Sequence, residues 1–284
     1  MNSTQDAAQI PAPRPGDESA EVMVTVKTYP NPSDTYGETV CVAGVRIDRG
    51  GPEWIRLYPV KFRNTDFAQR FKKYERIKLN GTSHQSSDNR PESFRPRQDE
   101  LEHIEMVGPS SNWALRRSYM GDLIGATSTC ELIAANPKGH MALPSPSLGL
   151  IKPHDVKVEV RDGDPWTESE QRKIERASAP DLFGTELAAL EPAPYAVIYH
   201  YKCAFPECRS HAQKALDWEV GAAGRRWREE NGDQRAREMM MEKWRDELLD
   251  EDKDTHFYVG NQNRRRRSFS VLGLWTPKKE FTLF

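Results

Sequence analysis

The stretch EVMVTVKTYPNPSDTYGETVCVAGVRIDRGGPEWIRLYPV, residues 21–60, decides how the chain is read. It holds three β-branched runs, EVMVTVKTY, ETVCVAGVRI and EWIRLYPV, which alternate or run continuously apolar as half-buried and buried strands do. Turn chemistry separates them, at Pro30-Asn31-Pro32-Ser33 and at Asp48-Arg49-Gly50-Gly51-Pro52. The second and third runs read as a hairpin. Outward from there, DFAQRFKKY (66–74) reads as a short helix and ERIKLNG (75–81) as a strand. Residues 82–100 read as a long polar loop and 110–126 as a helix. CELIAANP (130–137) reads as a short strand, and SLGLIKPHDVKVEV (147–160) as a loop running into a strand. Thr167-Glu168-Ser169-Glu170 is a capping box that predicts a helix over 168–178. Tyr195–Lys202 is a strand, two helices follow over 212–229 and 234–250, and THFYVGN (255–261) and SFSVLGLW (268–275) close the chain as strands. Strands at both ends with helices between them predict an α+β fold with mixed or antiparallel sheets.

The 284 residues are 37% hydrophobic and 30% charged, with 41 basic against 43 acidic side chains. That balance excludes a polycation and an acidic disordered protein. No apolar run is long enough to span a bilayer. Residues 1–20 hold Pro, Ala, Ser and acidic groups with almost nothing to bury, and are expected to be a disordered tail without the charge and apolar run of a secretory signal. The remainder, 21–284, is expected to be one α+β domain, mostly β over 21–160 and carrying the cysteine cluster and helices over 161–284. Four cysteines are too few for a disulfide scaffold, so a cytoplasmic location is expected.

The most specific chemistry is His200-x2-Cys203-x4-Cys208-x2-His211. Thiolate and imidazole are the donors zinc prefers, and a structural zinc site closes with four of them. Pro206 favours the tight turn of a knuckle, with a helix expected after it. His200 is the weakest of the four, because its strand can point it elsewhere; Cys130 or another histidine is the alternative fourth ligand. A filled tetrahedron implies a structural metal, whereas three protein ligands would leave a position for water.

Other candidates are spread along the chain. Asp217 is placed in the helix after the cluster, beside Gly221 and Gly224, whose bare backbone implies a close neighbour. Its alternatives are a catalytic carboxylate or a buried ion pair with Arg225, Arg226 or Arg56. Asp254 and His256 alternate on the penultimate strand, and Glu38 and Glu92 are further candidate acids. Tyr36, Arg56 and Tyr58 supply a cation and aromatic faces, Arg90 lies in the long polar loop, and Arg264, Arg265, Arg266 and Arg267 are expected at a hairpin tip in contact with phosphates. Charge is segregated. Residues 42–100 carry 13 basic and 8 acidic groups, 261–284 carry 6 and 1, and 229–254 carry 5 and 11. One basic face with exposed aromatics points to nucleic acid. The acidic helix 234–250, with Met239–Met241, Trp244 and Leu248, is a candidate surface for a protein partner.

The blocks KTYPNPSDTYGETVCVAG (27–44), WIRLYPVKFR (54–63), RPESFRP (90–96), SLGLIKP (147–153), YHYKCAFPECRSHAQKALDWE (199–219) and DTHFYVGN (254–261) resemble a family of bacterial proteins, of unassigned function, associated with genomic islands and anti-phage loci. The resemblance implies action on phage DNA without choosing a reaction. The chain has no P-loop, dinucleotide fingerprint, HExxH or zinc-deaminase signature. Its carboxylates are scattered singly, which suits a DNA glycosylase slightly better than a Mg²⁺-dependent nuclease. A zinc-stabilised nucleic-acid-binding module without catalysis is the alternative.

Overall fold

The computed structural model describes residues 14, 16–61, 70–83, 88–139, 144–178 and 189–280. Among them are twelve strands and five α-helices, in the α+β arrangement the sequence predicts. Residues 66–69 of the expected helix and most of the expected tail lie outside the described residues, while 70–74, the rest of that expected helix, form a turn leading into β5 rather than a helix.

The first half is a small barrel. Strands β1 (Glu18–Lys27), β3 (Gly37–Arg46), β4 (Glu53–Val60), β5 (Glu75–Ser83) and β6 (Ser93–Met106) follow the order β1-β5-β6-β4-β3, and β1 also pairs with β3, closing the ring. All pairings are antiparallel except β4 with β6. Counted as strands one to five, the ring runs 1-4-5-3-2-1 with the third and fifth parallel, which is the connectivity of the OB-fold. The short β2 (Asn31–Ser33) sits on β3 in the connection between the first two barrel strands. Alternation fills the interior: Val22 and Val24, Val40 and Val42, Ile55 and Leu57, Ile77 and Leu79, and Phe94 all turn inward.

The outer face of β1, β3 and β4 does not meet water everywhere. Met23, Ala43, Val45 and Trp54 pack against Leu148, Leu150, Tyr258, Leu272 and Trp275 of the second half. Those residues belong to a sheet of β7 (Leu148–Ile151), β11 (His256–Gln262) and β12 (Arg265–Trp275), with β11 in the middle. A third sheet, β8 (Pro153–Asp162), β9 (Tyr195–Cys203) and β10 (His211–Lys214), shares a core with α4 (Trp218–Asn231) and α5 (Asp233–Met241), which runs on as a π-helical turn over Glu242–Glu247. Met240 and Trp244 are buried there, so these members of the acidic helix belong to the core. α1 (Ser110–Met120) and α3 (Glu168–Ser178) lie between strands; α3 falls where its capping box predicts.

Several sequence expectations are corrected. The tail ends before Glu18, because Glu18–Ala20 pair with β5. The loop expected over 82–100 is largely strand, since β6 begins at Ser93. The run expected as a strand from Cys130 is a helix, α2 (Thr129–Ala134): Ser128 and Glu131 form a capping box ahead of it. A strand, β10, follows the cysteine knuckle, and the helix begins only at Trp218. The expected subdivision at 160 falls inside β8. Among the described residues no helix is long and apolar enough to cross a membrane.

Candidate metal centre and basic cleft

Three cysteines and one histidine converge. The ligand atoms of Cys130, Cys203, Cys208 and His211 all lie within 4.8 Å of one another, a set that can hold a metal ion. His211 Nε2 is 3.3 Å from Cys208 Sγ and 3.5 Å from Cys130 Sγ. Cys203 ends β9, Cys208 lies in the knuckle, His211 opens β10 and Cys130 comes from the first turn of α2. Burial, with Cys203 and Cys208 beside it, pushes the Cys130 thiol up to about 12.

His200 is not in the set. Along β9, Tyr199, Tyr201 and Cys203 turn inward, so His200 turns outward. Its Nε2 meets Glu159 at 3.1 Å, with 45% of the side chain exposed. The fourth ligand is instead Cys130, 73 residues before Cys203 in the chain.

The second feature is a cleft of about 800 Å³ where the two halves part. Its floor is the outer face of β3 and β4, lined by Thr39, Cys41, Arg56 and Tyr58. One wall is the β1–β3 connection, including Tyr36; another is the β5–β6 connection, with Arg90 and then Arg95 of β6. The β11–β12 turn covers it from the second half through Asn261, Gln262 and Arg264, and Lys173 of α3 reaches its edge. Tyr58 is 43% exposed. Arg95 donates to the Tyr36 hydroxyl at 3.1 Å. Arg90 is buried and forks onto Asp88, whose carboxyl burial pushes up but Arg90 holds below its ordinary range. Arg56 is 2% exposed and anchored on Ser147.

The predicted nucleic-acid residues therefore split. Tyr36, Arg56, Tyr58, Arg90 and Arg264 line one cleft. Arg265 is exposed at the start of β12. Arg266 is buried, tied to Asn263 and Asn89. Arg267 donates to the carbonyls of Ile133 and Asn136, closing the C-terminal end of α2. Arg265–Arg267 thus lie in a strand rather than at the tip.

The predicted catalytic residues do not converge on the cleft. Asp217 is the N-cap of α4, accepting the Glu219 N–H at 3.0 Å, and its charged partner is Lys73 rather than an arginine. The close neighbour implied by Gly221 is the Tyr29 ring, whose Cε2 would lie 2.2 Å from an added Cβ. Asp254 pairs with Lys152 at 2.6 Å, and His256 Nδ1 lies 3.1 Å from the Asp254 carbonyl. Burial pushes the Asp254 carboxyl up, but Lys152 and His256 together hold it below its ordinary range. Burial also lowers His256. Asp254 lines a separate depression with Arg117, Lys279 and Glu280. Glu38 is buried in β3 and does not line the cleft. Glu92 is buried and accepts from the Ser147 N–H at 2.8 Å and hydroxyl at 3.0 Å. Sequence reasoning missed Cys41 and Arg95, which line the cleft, and Ser147, which holds Arg56 from behind it; all three fall inside quoted sequence blocks, and nothing local marks these roles.

Two family models match the chain. A domain of unknown function, DUF8757, covers residues 125–284, and the chain belongs to that family. A second, DUF8758, covers residues 18–122, the barrel and α1. No curated protein matches the chain. The cleft draws its lining from both matched regions.

Proposed function

We propose that the chain is a nucleic-acid-binding protein that holds an unpaired strand or an extruded nucleotide in this cleft. The observation that carries the reading is its position. The outer face of the second and third barrel strands, with the loops between strands one and two and between four and five, is where barrels of this connectivity take oligonucleotides and oligosaccharides. Fold alone does not assign function, and here the side chains favour the nucleotide. Arg56, Arg95 and Arg264 are cations without a carboxylate within 4 Å among the described residues, and Tyr58 offers an exposed ring for stacking.

The disposition of the acids favours binding over hydrolysis. Those lining the cleft are engaged: Asp88 by Arg90, Asp34 by Lys173 and Arg176, and Glu170 by the Thr167 hydroxyl. The glycosylase and Mg²⁺-nuclease readings therefore rank below the binding module. The anti-phage setting enters the proposal as a choice of probe, DNA with modified cytosines. At the cysteine cluster the metal is Zn²⁺, because three thiols and an imidazole are a structural zinc set. With four protein ligands it fastens α2 to the β9–β10 hairpin. A reducing cytoplasm suits such thiols.

The test is fluorescence anisotropy with a labelled oligothymidylate and with plain and cytosine-modified duplexes. Single-stranded binding is expected to be the tightest. Stacking on one ring contributes about 1–3 kcal/mol, so Tyr58→Ala should weaken it about 5- to 150-fold. Strand breaks on the same DNAs would return the reading to an enzyme: after alkali only for base excision, directly and EDTA-sensitive for a nuclease. No binding to any of the probes would refute the reading.

A further inference from the structure

Arg56 carries a charge that no carboxylate among the described residues meets directly. Its side chain is almost wholly buried at the floor of the cleft. Nε donates to Ser147 Oγ at 3.3 Å, and Nη2 donates to the Ser147 carbonyl at 3.0 Å and to its Oγ at 3.2 Å. Among the described residues Nη1 meets only Cys41 Sγ, at 3.1 Å. Glu92 is one hydroxyl removed, on the far side of Ser147. A guanidinium has five N–H donors and sulfur is a weak acceptor, so the Nη1 edge is the part left for a ligand. A buried cation without a bonded counter-ion is costly, and an anion arriving at that edge offsets the cost.

The surroundings keep this edge in place. Ser147 holds the guanidinium by two of its three nitrogens and is itself held by Glu92, so the fork is fixed before any ligand arrives. Gly260 of β11 lies against it: an added Cβ there would stand 3.1 Å from Nη2. Arg264, exposed and without a hydrogen-bonded or ionic partner among the described residues, lines the same cleft from the β11–β12 turn.

We propose that the Arg56 end of the cleft is a phosphate subsite, in which Arg56 receives the oxyanion through Nη1, Arg264 supplies the second cation, and the Cys41 thiol is covered when the site fills. This rests on the reading of the cleft as a nucleic-acid site and adds which group of the ligand is held and where. The shared chemistry is a phosphate oxyanion, supplied either by an internal phosphodiester or by a terminal phosphate.

The full-length chain is treated with iodoacetamide, and modification of Cys41 is followed by peptide mass spectrometry. The probes are inorganic phosphate, a 5′-phosphorylated oligothymidylate and the same oligomer with a 5′-hydroxyl, at constant ionic strength. Each is expected to slow Cys41 alkylation several-fold at saturation. Removing one charge-assisted contact costs about tenfold or more in affinity, so Arg56→Lys and the exposed Arg264→Ala should each raise the phosphate needed by about that factor. Arg264→Ala keeps the test open if Arg56→Lys fails to fold. Stronger protection by the 5′-phosphorylated oligomer supports the subsite with a terminal phosphate; equal protection supports it with an internal one. Oligomer binding that leaves Cys41 fully reactive overturns the subsite and leaves the cleft reading standing. Protection by inorganic phosphate with no oligomer binding supports the subsite and overturns the nucleic-acid reading.

Discussion

Lys73 Nζ lies 3.6 Å from Asp217 Oδ2, joining the barrel to the first turn of α4 across the two halves of the chain. Asp217 is buried and Lys73 partly so, and Gly273 of β12 leaves room for them: an added Cβ there would stand 3.1 Å from Asp217 Oδ2 and 3.5 Å from Lys73 Nζ. Burial alone would push the Lys73 ammonium down, but Asp217, Tyr74 and Glu219 outweigh it and hold it above its ordinary value. Asp217, for which the sequence leaves a catalytic carboxylate or a buried ion pair open, is a helix cap and half of a buttress.

Asp217→Ala should therefore cost stability and not binding. It removes an N-cap, about 1 kcal/mol, and leaves the partly buried Lys73 ammonium without its carboxylate, so the total should approach the about 3–5 kcal/mol of breaking a buried pair. Asp217→Asn keeps a good cap and should be milder. Urea denaturation reads the stability, and oligothymidylate anisotropy at low denaturant reads the binding. Normal stability with lost binding would place Asp217 in the functional site after all.

The metal set makes a sharp contrast between two residues. Cys130→Ser should abolish stoichiometric zinc, read by elemental analysis of the purified chain, and lower the melting temperature by many degrees, because metal binding is folding free energy. His200→Ala should do neither, since its ring pairs with Glu159 on the outer face of β9. Zinc retained in Cys130→Ser, or lost in His200→Ala, would contradict the assigned ligands.

How much of this was legible varies by residue. The barrel strands were, because half-buried strands must alternate, and Val22, Val40, Leu57 and Ile77 do so. Ring closure was not: the pairing of Val22 with Arg46 is set by the return of the chain, not by a local pattern. The α2 helix is legible in Ser128-x-x-Glu131, a capping box ahead of an apolar run that read alone predicts a strand. Cys203, Cys208 and His211 announce themselves by spacing, whereas Cys130 becomes a ligand only once α2 packs beside the knuckle. Arg267 resembles its three neighbours in sequence. Only the position of α2 turns it from a phosphate contact into a helix cap.

Lys27 gives the pH dependence a sign. Burial pushes its ammonium down to about 8, against the opposing pull of Glu219, Asp217 and Glu75, from an ordinary value of 10.5. The folded value lies below the unfolded one, so the unfolded chain binds the proton more tightly between them. The stability this contributes is full above 10.5, fades as pH falls and is gone below about 8. Relative to Lys27→Met, the wild-type chain should gain stability from pH 7.5 to pH 10. Urea midpoints of both proteins at the two pH values check this, and an unchanged difference would remove the shift.

The arginine run offers a test of position against charge. Arg264 lines the cleft and Arg265 is exposed beside it, with no hydrogen-bonded or ionic partner for either among the described residues, whereas Arg267 is committed to the carbonyls of Ile133 and Asn136. A residue that neutralises one phosphate on a single strand contributes about −0.7 to the slope of log affinity against log salt. Arg264→Ala should flatten the slope by about that amount while the melting temperature stays within about 1 °C, since an exposed side chain outside the core carries little stability. Arg267→Ala should do the reverse. It leaves the slope alone and destabilises by about 1 kcal/mol or more, because two helix-end carbonyls lose their donor. Titrating oligothymidylate anisotropy across a salt series, with thermal melts of the same three proteins, separates the two. If Arg267→Ala flattened the slope as Arg264→Ala does, α2 would not be what that guanidinium serves, and the basic surface would extend past the cleft along β12.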